Sequence, residues 1–194
     1  MSGKQRNSDA VELLTADQRA IEALFAAFNV LCGDGASLAE KGRAAGVICV
    51  ALSVQAQIEE EIFYPAMRAS ANGAAIIDRL EVEHLLAKDL IAQISTMQPG
   101  DALYDARVLV LGKVNQYRVG SEERALFPYA RRAGLDLTAL GNEMRARKQQ
   151  LLAEYKGMAL ARLRFDAAGD PVGRRALARR EPACGVSNQA RVAA

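Results

Sequence analysis

The stretch Gln55-Ala56-Gln57-Ile58-Glu59-Glu60-Glu61-Ile62-Phe63-Tyr64-Pro65 lies inside a long helical pattern and interrupts its apolar face with polar groups. Ile48, Leu52 and Ile62 form the stripe, and Gln55 and Glu59 fall on it at helical spacing. Pro65 lacks an N–H and crowds the preceding turn, so a kinked or loosened last turn is expected after Tyr64. A second stretch, Glu122-Glu123-Arg124-Ala125-Leu126-Phe127-Pro128, has the same order of acidic residues, aromatic and proline. The pair reads as a weak internal repeat of two helical hairpins.

Working outward, four long helices are expected. The first runs from Ser8 or Asp9, an N-cap candidate, to Cys32, where Gly33 and Gly35 end it. The second opens on the capping-box pattern Ser37-Leu38-Ala39-Glu40 and reaches about Arg68. The third spans roughly Asn72 to Met97, ahead of Pro99-Gly100. The fourth starts with Asp101 as N-cap and ends near Arg132. A fifth, from about Asp136 to Arg164, carries Arg145, Arg147, Lys148 and Glu154 on a solvated face. The fold class expected is all-α: an up-down-up-down four-helix bundle over residues 10–134, an additional C-terminal helix over 135–164, a flexible N-terminus over 1–9 and a disordered basic tail over 165–194.

Every helix of this bundle carries a polar residue in its apolar stripe. Gln18 falls between Leu14 and Ile21, His84 between Leu80 and Ala87, and Arg118 and Glu122 between Val114 and Leu126. Burying one amide or hydroxyl unpaired costs roughly 2–7 kcal/mol, and a charge costs more. Each residue alone has a plain explanation: a satisfied core histidine, glutamines at a stripe edge, a solvated acidic run, an arginine reaching outward along its stem. Together they point to one layer where Gln18, Gln55, Glu59, His84, Arg118 and Glu122 meet, since bundle cores build sites from facing helices.

Composition excludes several classes. The net charge of +2 gives no field that attracts nucleic acid or anionic membrane. The longest apolar run, Ala44 to Val54, is too short to span a bilayer, which takes about 20 residues. Three widely spaced cysteines, Cys32, Cys49 and Cys184, form no disulfide framework and favour a reducing cytoplasm. Arg174-Arg175 and Arg179-Arg180 suit a soluble tail better than a nucleic-acid or lipid contact.

The stretch from Gln55 to Pro65 resembles the second-helix signature of hemerythrin-like (HHE cation-binding) domains. There a histidine is followed four residues on by glutamate, then an aromatic and proline. Tyr117-Arg118-Val119-Gly120-Ser121-Glu122-Glu123 through Phe127-Pro128 is similar to the fourth-helix signature, which begins with two histidines. Leu13-Leu14-Thr15-Ala16-Asp17-Gln18 resembles the first-helix motif, usually ending in histidine, and Glu83-His84 resembles the third. The resemblance covers about Ala10 to Gly134 and includes the order of all four motifs. Leu135-Asp136-Leu137 resembles the extension that follows.

The resemblance implies two non-haem irons held by histidines and bridging carboxylates, for binding or sensing oxygen or storing iron. Imidazole and carboxylate suit such a centre. Glu59, His84 and Glu122 keep ligand types. Gln18, Gln55 and Arg118 stand where histidines are expected, and Tyr117 replaces the neighbouring one. An amide oxygen is a poor iron ligand beside imidazole, and arginine offers no lone pair. The expectation is a degenerate site that binds iron weakly or not at all, with Arg118 bridging the carboxylates. The alternative is a working metal-binding member using Glu59, His84 and Glu122 with waters. An enzyme ranks last: His84 and Glu59 are capable of acid/base work, yet no nucleophile motif, phosphate loop or zinc signature accompanies them.

Overall fold

The computed structural model describes residues 8–70 and 74–168, with side chains through residue 157. Helix α1 spans Ala10–Gly33 and α2 spans Leu38–Ile58. A π-helical turn, Glu59–Phe63, and a short α3, Tyr64–Arg68, continue α2 without a break. Helix α4 is Ala74–Thr96 and α5 is Tyr104–Ser121, which a second π turn, Glu122–Leu126, carries into α6, Phe127–Arg132. Helix α7 is Leu137–Ala168. The described residues hold no strand.

Local chemistry sets the boundaries. Asp9 and Ser37 each head a full capping box: their side chains accept from Glu12 and Glu40 N–H, and those glutamates accept the cap N–H in return. Asp136 accepts from Ala139 N–H at 2.9 Å and opens α7. Gly35 and Gly134 take φ of 65° and 70° in the turns after α1 and α6, a conformation open to glycine at no steric cost.

Three expectations need correction. Asp101 is not the N-cap of the fourth helix. Its carboxylate accepts from Gln98 N–H at 2.7 Å within the loop, and α5 begins after Leu103, which adopts φ 69° and makes no side-chain cap. The prolines do not act by loosening a last turn. Each follows a π turn, in which Tyr64 N–H bonds Glu59 C=O and Phe127 N–H bonds Glu122 C=O. The C-terminal helix runs past Arg164 to Ala168. Asn72, the expected start of the third helix, and the tail with Arg174, Arg175, Arg179, Arg180 and Cys184 lie outside the described residues.

The helices pack antiparallel. Across the α4–α5 pair, Arg107 bonds Gln93 near one end and Ser121 bonds Glu83 towards the other. Two apolar clusters fill the interior. One gathers Leu14, Ile58, Phe63, Met67, Ile77, Leu80 and Leu126, joined by Met144 and Leu151 of α7. The other gathers Ile21, Phe28, Ile48, Leu52, Val108 and Leu111. Along each helical rod of the bundle the polar residue falls between a member of one cluster and a member of the other. Chain contacts divide the protein into units meeting at Tyr155 and Lys156, inside α7. No described helix is long and apolar enough to cross a membrane.

Within the first unit, α7 is tied down by charge and by close approach. Arg147 pairs with Glu61 at 2.6 Å, Lys148 pairs with Asp17, and Arg145 donates to Ser8 C=O at 2.9 Å. A Cβ at Gly141 would stand 2.7 Å from Ala10 N and 2.8 Å from Ser8 O, so only glycine lets the backbones meet there. Gly141→Ala is expected to destabilise the protein by about 1–2 kcal/mol, the overpacking penalty exceeding the gain in helix propensity. A higher urea midpoint for the variant would contradict this packing.

Candidate functional site

The polar residues of the stripes meet in one buried layer. Gln18 comes from α1, Gln55 from α2, Glu59 and Glu122 from the two π turns, His84 from α4 and Arg118 from α5, each at most 3% exposed. Tyr64 and Asn115 join them at 1%. Tyr117, beside Arg118, turns outward and is 61% exposed.

The π turns explain this convergence. In a plain α-helix a residue five positions on is rotated by about 140° from its start. The widened turn absorbs one residue, so Tyr64 returns to the face of Glu59. Ile62, expected on the core stripe, is only half-buried, and Phe63 and Tyr64 fill the interior. Inserted π turns recur where helices carry functional side chains.

Arg118 is the hub. Its Nη1 donates to Glu59 Oε2 at 2.9 Å and to Glu122 Oε1 at 2.8 Å, and lies 3.4 Å from His84 Nε2. Asn115 Oδ1 accepts from Nη2 at 3.1 Å. The remaining carboxylate oxygens take amide donors: Gln55 Nε2 reaches Glu59 Oε1 at 2.9 Å and Gln18 Nε2 reaches Glu122 Oε2 at 2.5 Å. Tyr64 donates to Glu122 Oε1 at 3.2 Å and its hydroxyl lies 3.1 Å from His84 Nε2. His84 Nε2 stands 3.0 Å from Glu59 Oε2, and its Nδ1 meets Glu60 Oε1 at 2.8 Å. Glu60 in turn binds Lys88 at 2.6 Å, which leads the network to the surface.

The charges balance through these contacts. Burial favours a neutral Glu59, but Arg118 and then His84 outweigh it and hold the carboxyl below its usual range. Glu122 has weaker company, and burial pushes it up to about 7. Burial also acts against a charged His84, yet hydrogen bonds to Glu59 and Glu60 lift it to about 9. The His84 contact draws Glu60 down to about 2. Burial drives the Tyr64 phenol well above its ordinary value. The two carboxylates strengthen the hold of Arg118 on its proton despite burial.

Glu59, His84 and Glu122 form a buried group whose ligand atoms lie within 4.8 Å of one another, compact enough to hold a metal ion. Sequence reasoning named these three and the substituted positions Gln18, Gln55 and Arg118, and the structure brings all six together. It missed Asn115, Glu60 and the role of Tyr64. Asn115 was legible, four after Leu111 and three before Arg118, but Val114 was read as the core residue and is half-exposed. Glu60 was taken with the solvated acidic run.

Residues 9–130 match the family described as the hemerythrin HHE cation binding domain, and the chain belongs to that family. Among solved structures it is similar to a hemerythrin HHE cation binding domain-containing protein from Mycobacterium kansasii. The two share 23% identity over 81% of this chain and 93% of the other, with a TM-score of 0.64, a likeness of fold. No curated protein matches the chain.

Two predictions follow from the layer's charges. A raised His84 pKa means the protonated form stabilises the fold: the contribution is complete below pH 6.5 and lost as pH rises through about 9. The shift corresponds to about 3 kcal/mol. Melting temperatures should decline across that window, and His84→Gln should flatten the decline; an unchanged slope would exclude His84 as the titrating group. Arg118→Met leaves Glu59 and Glu122 without their shared cation and is expected to cost about 3–5 kcal/mol by urea denaturation.

Proposed function

We propose that this protein is a member of the HHE family whose buried centre is held together by an internal guanidinium instead of a pair of irons. It binds iron weakly or not at all and is not an enzyme. The observation that carries this reading is the position of Arg118 Nη1, within 2.9 Å of both carboxylates. A cation seated among Glu59, His84 and Glu122 would stand against a guanidinium that keeps its charge at any physiological pH. The chemistry of the donor set argues the same way. Three lone-pair ligands do not complete two iron coordination spheres, and Gln18 and Gln55 turn their N–H ends, not their oxygens, towards the carboxylates. The residues present therefore do not fit a di-iron group.

On this reading the layer fixes the register of the helices and sets their relative positions. A structural, sensing or partner-binding role suits such a device better than turnover, because Glu59, His84, Arg118 and Glu122 are already engaged with one another. The free thiols of Cys32 and Cys49 are in keeping with a cytoplasmic setting.

The compactness of the Glu59–His84–Glu122 group supports a second reading, a single metal ion bound with waters after Arg118 swings away. Imidazole with two carboxylates suits Fe(II), Mn(II) or Zn(II). Elemental analysis of protein purified from iron-supplemented cells separates the two. Metal far below one equivalent per chain is expected. One firmly held equivalent would establish the second reading, and two irons with an oxo-to-iron charge-transfer band would refute the first.

A further inference from the structure

Beside the layer, a cavity of about 100 Å³ lies between α1, α2 and α7. Ile21 and Leu24 of α1 and Leu152 of α7 give it an apolar wall, and Asp17, Gln55 and Lys148 supply its polar groups. Leu152 is 43% exposed and the Lys148 side chain 28%, so the cavity reaches solvent along α7. Gln55, 1% exposed, marks its deep end.

The polar groups lack donors. Asp17 Oδ1 accepts from Lys148, but Asp17 Oδ2 is buried and has no hydrogen-bond partner among the described residues. Gln55 Nε2 donates to Glu59 Oε1 at 2.9 Å, which turns Gln55 Oε1 away from that carboxylate. Gln55 Oε1 is likewise buried without a partner. Leaving a buried acceptor unsatisfied forfeits its hydration for nothing in return. Both vacancies are acceptors, and one belongs to a carboxylate. Burial holds the Asp17 carboxyl above its ordinary value despite the Lys148 contact, and the charge of Glu59 adds to the rise. Lys148 alone therefore does not supply all the positive charge that this corner of the interior calls for.

An occupant that suits these walls has N–H donors, a positive charge and a short hydrocarbon chain. A primary ammonium group carries three donors and no acceptor. Water also donates to both oxygens, but it is neutral and gains nothing from the apolar wall. Size sets the chain length. An apolar cavity of about 150 Å³ holds the six carbons of benzene, so this one takes about four non-hydrogen atoms.

We infer that the cavity between α1, α2 and α7 is a binding site for a short primary alkylammonium ion, its head between Asp17 Oδ2 and Gln55 Oε1 and its chain against Ile21, Leu24 and Leu152. Gln55 connects this site to the layer, because the same amide holds Glu59. Occupancy restrains Gln55 from the cavity side.

The test is a titration of the ¹⁵N-labelled full-length chain with n-propylammonium chloride at neutral pH and constant ionic strength, followed by amide chemical shifts. Saturable shifts are expected in the segments around Asp17–Leu24, Ala51–Gln55 and Lys148–Leu152. Propan-1-ol has the chain without the charge, and tetramethylammonium has the charge without N–H donors; each should bind at least tenfold more weakly. Ala51→Leu fills the cavity and should abolish the shifts, and Asp17→Asn should weaken binding at least tenfold. Lys148→Met removes the internal rival for the carboxylate and should tighten binding severalfold, a direction that mere loss of packing does not produce. Absence of saturable shifts would show a cavity that holds water alone and would overturn the inference. Equal binding of propan-1-ol or tetramethylammonium, undiminished binding by folded Ala51→Leu, or no tightening in folded Lys148→Met would overturn it as well.

Discussion

Two carboxylates buried side by side repel each other and forfeit their hydration, and the interior of this bundle tolerates them because one arginine nitrogen lies between them. Arg118 Nη1 is within hydrogen-bonding distance of both. Desolvation of a carboxylate–guanidinium pair is costly, and the attraction offsets it only when the remaining lone pairs are occupied. Here Gln18, Gln55 and Tyr64 occupy them. The arrangement draws on every long helix of the four-helix bundle, so each helix is held at one height relative to the others. The apolar clusters above and below supply most of the burial, but apolar contacts slide more easily than hydrogen bonds. Register is set in the layer.

The helices were legible because their apolar spacing is regular and their starts carry strong local signals, as at Asp9 and Ser37. The convergence of Gln18, Gln55, Glu59, His84, Arg118 and Glu122 was also legible, since each interrupts an apolar stripe. What could not be read was the rotation of the chain beyond Glu59 and Glu122. A pattern of threes and fours presumes the α period, and a π turn changes the period for five residues. Tyr64, five residues beyond Glu59, therefore falls off the stripe in the α period, although it is buried in the layer. Glu60 was hidden by a different cause. Its place in a run of three glutamates suggests solvation, and its bond to His84 depends on the packing of α4 beside the π turn. Asp101 has the residue type of an N-cap, but the loop uses its carboxylate one turn earlier.

Helix α7 stabilises the end of the bundle nearest the start of α1 without entering the layer. Met144 and Leu151 extend one apolar cluster, while Arg147 and Lys148 bind acidic partners on other helices. Lys148 meets Asp17, the neighbour of Gln18, and Arg147 meets Glu61, two residues beyond Glu59. Half-exposed pairs of this kind contribute little energy individually. They brace the segments that present the buried groups.

The π turns bear on how such a chain can change length. Losing a residue from the middle of an ordinary helix swings everything downstream by about 100° and exposes its core face. Losing one from Glu60–Phe63 or Glu123–Leu126 would instead convert the wide turn to a regular one and leave α3 or α6 facing as it does now. Single-residue deletions should accordingly be survivable at two points in the bundle core, both on the border of the charged layer. At those points a family of such proteins has room to gain or shed an amino acid while the rest of its interior stays in place.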